Sequence, residues 1–217
     1  MTMTFSFAAP SRRTVLIGTG ALALGGCAGN LIGPPSPAPQ IYTLDPPFGA
    51  VADAPNVDWQ LVVTAPVAPA VLDTSRIALE RAPNLMDYYA NAQWTDRLPL
   101  VLQSLMVQAF EASGRIRAVG RATAGIRADY VLETELRNFE AYYAVPDTAP
   151  KIRVRMTARL LGALNREIAG ITEASQEVPA AANDMTNITA AFARASGAMI
   201  SQIVSWSLQP PRGKHAR

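Results

Sequence analysis

The run KIRVRMTARL, residues 151–160, decides the fold. Ile152, Val154, Met156, Ala158 and Leu160 alternate with Lys151, Arg153, Arg155, Thr157 and Arg159. Side chains on a strand point to opposite faces in turn, so this run is a strand with one apolar and one charged face. A slip of one residue would turn every apolar side chain into water, so the register is strongly fixed. One wet face points to an antiparallel sheet covered on a single side.

The neighbouring segments extend the same sheet. Asp129–Tyr142 places Tyr130, Leu132, Thr134 and Leu136 on one face and Glu133, Glu135 and Arg137 on the other. Phe139 falls out of phase, which predicts a bulge near Asn138. Downstream, a turn at Asn165-Arg166 returns the chain as Glu167–Val178. That register sets Arg153 opposite Glu177 and Arg155 diagonal to Glu173. It predicts a ladder of ion pairs on the open face, each pair adding about 0.2–1 kcal/mol. Shorter strands are expected at Ile41–Leu44, Trp59–Thr64, Arg76–Glu80 and Arg115–Val119. Asn84–Trp94 reads as two short extended pieces around a turn near Ala90-Asn91.

Two segments carry helical spacing. Leu98, Val101, Leu102, Leu105, Ala109 and Ala112 form a stripe that leaves Gln103 and Gln108 on the wetter side. Thr95 or Asp96 is positioned to cap this helix, Pro99 fits its first turn, and Gly114 ends it. The second helix starts at a cap on Asn183 or Asp184 and runs to about Leu208. Its stripe is Ile188, Ala191, Phe192, Ala195, Met199, Ile203 and Trp206. The expected fold class is α+β: an antiparallel-rich sheet with two main helices packed on one face, forming a single domain over 41–209. Pro210-Pro211 stops the second helix and leaves a disordered tail over 210–217.

The N-terminal part reads differently. Residues 1–26 hold Arg12 and Arg13, no acidic residue, and an apolar stretch from Val15 to Leu24. That stretch falls short of the roughly 20 apolar residues needed to span a bilayer, and it reads as a signal-peptide core. Leu24-Gly25-Gly26-Cys27 resembles a bacterial lipobox, in which cleavage before the cysteine is followed by acylation of its thiol and amine. Cys27 is the single cysteine of the chain, so no internal disulfide competes for it. Ser11-Arg12-Arg13-Thr14-Val15-Leu16 is similar to a twin-arginine export motif, with Val15 and Ile17 where Phe and Lys often stand; the general secretory route is the alternative. Ala28, rather than Asp, follows the cysteine, which points to the outer membrane. Residues 27–40 then carry Pro34, Pro35, Pro37 and Pro39, a semi-rigid tether that reaches up to ~40 Å when extended.

Charge excludes some functions. The chain has 19 basic and 17 acidic residues, and loss of Arg12 and Arg13 with the signal leaves the mature protein neutral. No basic stripe for nucleic acid remains. The single histidine, His215, lies in the tail, so no His/Cys metal set and no nucleophilic triad can be assembled. Glu133 and Glu135 read as a solvated strand face rather than an acid/base pair. No cofactor and no enzymatic activity are expected.

The mature chain resembles the ABC-type transport auxiliary lipoproteins, among them the outer-membrane lipoproteins of paraquat-inducible (Pqi) type lipid-transport systems. The resemblance runs from the proline-rich tether into Tyr42-Thr43-Leu44. It continues through Arg76-Ile77-Ala78-Leu79, Leu85, Tyr88-Tyr89, Trp94, Asp96, Leu98-Pro99 and Asp129-Tyr130-Val131-Leu132 to the final helix. It implies a non-enzymatic protein on the periplasmic face of the outer membrane, beside an ABC transporter with an MCE-domain periplasmic subunit that moves phospholipid. The partners it implies are that subunit and the membrane; further copies of the chain are expected as a homo-oligomer. A stand-alone lipoprotein serving envelope assembly is the alternative. Tyr88, Tyr89 and Trp94 are candidates for partner contact as well as for packing. Tyr88 and Tyr89 should face opposite sides of their strand.

Overall fold

The computed structural model describes residues 38–49, 54–125 and 127–209. The expected signal and anchor residues Arg12, Arg13, Leu24, Gly25, Gly26 and Cys27 lie outside the described residues, as does the tail from Pro210. Eight strands and two long helices follow in the order β1 (Gln40–Tyr42), β2 (Val57–Val63), β3 (Arg76–Ala82), β4 (Leu85–Trp94), α1 (Leu98–Ser113), β5 (Ile116–Arg121), β6 (Tyr130–Tyr142), β7 (Lys151–Gly162), β8 (Ile168–Pro179) and α2 (Met185–Ser207). The result is an open mixed sheet with two helices, an α+β domain whose long ladders are antiparallel.

Strand β6 is the axis of the sheet. Along one edge it pairs antiparallel with β7, which pairs antiparallel with β8. Its other edge is shared by two wings. Its first three residues, Tyr130–Leu132, pair parallel with β2, which carries β5. The end of β6 pairs parallel with β3 through Leu79↔Ala141 and Glu80↔Tyr142 only. Strands β4 and then β1 extend that second wing. Between the wings, Val67 bridges Glu135. The bulge expected near Asn138 is present as a register shift between Leu136 and Asn138.

The core lies between the sheet and the helices. Ile152, Val154, Met156 and Ala158 of β7 pack with Phe192, Met199 and Ile203 of α2 and with Leu102, Met106 and Phe110 of α1, all essentially excluded from water. Each of these side chains larger than Ala158 contributes roughly 1.5–3 kcal/mol by leaving water. Gly197 lets α2 approach the segment before β2, because a Cβ there would lie 2.2 Å from the Pro47 carbonyl oxygen.

Several local expectations are corrected. Neither Thr95 nor Asp96 caps α1: Arg97 is the N-cap residue, and the Leu98 N–H instead donates to the Thr74 carbonyl at 3.0 Å. Gln103 is buried rather than wet, and its Nε2 donates to the Val63 carbonyl at 2.9 Å. Met106 and Phe110 take the inner face of α1, which turns Ala112 out to solvent. Residues 85–94 form one strand, not two pieces around a turn. Asn91 adopts a left-handed φ of 53° inside it, within a wide bulge opposite Arg76–Ala78. Gly114 ends α1 at φ 61°, and Asp184 caps α2 by accepting from the Asn187 N–H at 2.9 Å, as expected.

Candidate functional site

The candidate aromatic residues occupy three different environments. Tyr88 lies across from Ala78 on the open face of the sheet. It is half-buried, its hydroxyl donates to the Val71 carbonyl at 3.1 Å, and the Arg76 guanidinium sits over its ring at 3.8 Å. Such an arginine–ring contact contributes about 0.5–1 kcal/mol at an exposed site. Tyr89 turns to the opposite side, as alternation requires. Its hydroxyl meets that of Tyr143 at 2.8 Å, and Tyr143 donates onward to Asn183 Oδ1 at 2.7 Å, beside the cap of α2. Burial first, and the bond to Tyr143 second, push the Tyr89 phenol up, so it stays protonated. Trp94 belongs to the core. It is 2% exposed and packs edge-on to Phe139 and Phe192 at 6.1 and 5.3 Å between ring centres. Its place as a contact candidate is therefore corrected to that of a packing residue.

The open face carries a cluster of charged side chains. The expected register is present, with Arg153 opposite Glu177 and Arg155 diagonal to Glu173. The expected ladder is not, because the arginines lean toward β6 rather than β8. Arg153 reaches Glu80 on β3 and Glu140 on β6, the latter at 3.1 Å, with its guanidinium over the Tyr142 ring. Arg155 Nε donates to Asn138 Oδ1 at 3.0 Å, and Arg159 meets Glu135 at 3.4 Å. Glu140 is the reason for the tilt. It is 2% exposed and accepts from the Asn138 side chain at 3.0 Å and the Phe139 N–H at 2.8 Å. Burial, only partly offset by these bonds and by Arg153, raises its pKa above the ordinary carboxylate value. A buried carboxylate pulls the nearest guanidinium inward, whereas Glu173 and Glu177 are already solvated and offer less. Between these strands lies a polar depression of about 340 Å³ lined by Asn138, Arg153, Arg155, Ser175 and Glu177.

Beyond this charged half, the same face bears an apolar row. Gly120, Val62, Val131, Leu161 and Ile168 are successive partners across β5, β2, β6, β7 and β8. Val62 and Leu161 are buried but belong to no part of the core under the helices, and Ile168 is 53% exposed. Among the described residues, no group of three His, Cys, Asp or Glu side chains is disposed to hold a metal ion. No described helix is long and apolar enough to cross a membrane.

A family model described as the ABC-type transport auxiliary lipoprotein component matches residues 42–204. The chain belongs to that family. The crystal structure of protein XCC0632 from Xanthomonas campestris is similar to this auxiliary lipoprotein at 30% identity, with a TM-score of 0.73 over 78% of this chain and 94% of that one. A second crystal structure, of an uncharacterized protein, shares the fold at 12% identity and a TM-score of 0.56, covering 79% of this chain and 94% of that one. An uncharacterized protein of Bradyrhizobium diazoefficiens is 25% identical over an alignment of 182 residues that covers 80% of this chain. The auxiliary lipoprotein spans 46% of the length of that relative. The family is described as a lipoprotein component auxiliary to ABC-type transport.

Proposed function

We propose that this auxiliary lipoprotein is held in the outer membrane by acyl chains on Cys27 and docks the periplasmic MCE-domain subunit of an ABC transporter that moves phospholipid between the two membranes. The family match over 42–204 carries the reading. The lipobox-like Leu24-Gly25-Gly26-Cys27 ahead of it supports the anchor. Several acyl chains act together, each buried methylene adding about 0.8 kcal/mol, where a single chain binds only marginally. Of the aromatic candidates, Tyr88 with Arg76 over its ring is the one disposed to meet a partner, while Tyr89 and Trp94 hold the scaffold behind it.

Crosslinking and pull-down from envelope membranes, comparing the wild type with Cys27→Ala, tests the proposal. The wild type is expected to sediment with the outer membrane and to bring down an MCE-domain subunit. The mutant is expected to lose membrane retention. Recovery of outer-membrane assembly proteins alone would replace the transport reading with one of envelope assembly.

A further inference from the structure

Strand β8 is the outermost strand on its side of the sheet, and it pairs with β7 alone. It runs from Ile168 to Pro179, and between Gly170 and Val178 its ladder has no bulge, no proline and no lysine. Those are the usual devices that blunt an edge against pairing with another chain. Among the described residues, no backbone group from Ile171 to Val178 has a hydrogen-bond partner outside the β7 ladder. Half of the N–H and C=O groups along this stretch therefore face outward as a template for one more strand.

The side chains of β8 set what that strand must be. Ile171, Glu173, Ser175 and Glu177 share the open face, since they pair with Arg159, Thr157, Arg155 and Arg153. All four are exposed, Ile171 by 56%. The arginines of β7 are committed to Glu80, Glu140, Asn138 and Glu135 on the far side, so Glu173 and Glu177 have no ion-pair partner among the described residues. The strand itself contains no basic residue. Its outer face is thus acidic at two positions four apart, with an isoleucine at the end. Two β8 strands joined antiparallel about Ser175, with their helices on the same side, would set Glu173 against Glu177 twice, and like charges directly opposite oppose pairing. A basic strand would place a cation against each carboxylate.

We propose that the β8 edge binds an extended segment of a partner protein by strand addition. That segment carries Lys or Arg at two positions four residues apart, facing Glu173 and Glu177, and an apolar side chain facing Ile171. The main-chain ladder supplies the affinity and the two carboxylates choose the partner. This edge lies on the other side of β6 from the Tyr88–Arg76 pair, and it does not depend on which transporter the lipoprotein serves.

Hydrogen–deuterium exchange of the full lipidated chain in nanodiscs tests it. The probe is a synthetic peptide of alternating Thr and Val, with Lys at two positions four apart and Ile two residues beyond one of them. Saturating peptide is expected to slow amide exchange within 171–178 by roughly tenfold or more. The same peptide with Glu for Lys should leave exchange unchanged. Glu173→Lys/Glu177→Lys should exchange these preferences, so that the Glu peptide now protects β8. No protection by the Lys peptide, or equal protection by both, would overturn the proposal. Protection without peptide that grows with protein concentration would also overturn it, in favour of a second copy at the edge.

Discussion

Arg153 ties the wing of β3, β4 and β1 to the central strand β6, and its removal tests that role. The wing of β3, β4 and β1 reaches β6 through two ladder positions and the Tyr143 N–H bond to the Glu80 carbonyl. The side chain of Arg153 adds the bridge from Glu80 to Glu140 across that seam. Arg153→Met keeps the apolar stem over Tyr142 and deletes the charge. Glu140 then remains 2% exposed, with bonds from Asn138 and Phe139 but no counterion. Glu80, at 14% side-chain exposure, is little better solvated. Breaking a buried pair by removing one partner costs about 3–5 kcal/mol, against a domain stability of about 5–15 kcal/mol. Arg153→Met/Glu140→Gln removes the stranded charge and is expected to recover most of the loss. Urea unfolding followed by circular dichroism gives both midpoints and slopes. A loss below about 1 kcal/mol for the single mutant would refute the reasoning, as would a double mutant no more stable than the single.

Three further outcomes follow from the same geometry. Thr134 Oγ1 is buried without a hydrogen-bond partner, so Thr134→Val is expected to stabilise by about 1 kcal/mol in urea unfolding, because an unsatisfied buried hydroxyl costs about 1–3 kcal/mol. Gly197→Ala drives a Cβ to 2.2 Å from the Pro47 oxygen and should destabilise by about 1–3 kcal/mol; calorimetry showing a raised midpoint would contradict it. The folded pKa of Glu140 lies above its ordinary 4.5, so its favourable contribution is complete below that pH and is lost as pH rises through the folded value. The stability of Glu140→Gln relative to wild type should therefore increase as pH rises above the ordinary 4.5, and a constant difference in urea unfolding would contradict this.

The parts of the fold legible in the sequence are those with a strict period. Residues 151–160 alternate cleanly, and the register they set with the returning strand, Arg153 opposite Glu177, is the one observed. The bulge beside Asn138 was legible because Phe139 breaks the phase of β6. What alternation cannot give is the direction in which a long side chain leans. Arg153 has carboxylates on both flanking strands, and the choice of Glu140 over Glu177 follows the burial of Glu140, which alternation does not reveal. Gln103 was misplaced for a related reason: a polar side chain on a helix face reads as wet unless the carbonyl it meets, that of Val63, is known. The bulge in β4 hid for lack of a glycine, since Asn91 takes the left-handed conformation instead. Trp94 was ambiguous because interfaces and cores favour the same aromatic residues. The free edge of β8 could be seen only once the strand order was known.

The proposed function stands or falls on binding of the periplasmic MCE-domain subunit of an ABC transporter. The most direct measurement mixes the purified, lipidated protein with that purified subunit in detergent and determines the mass of the eluting species by light scattering. A single complex that forms with the wild type and weakens with Tyr88→Ala is the expected result. Two separate species at micromolar concentrations of both proteins would contradict the account.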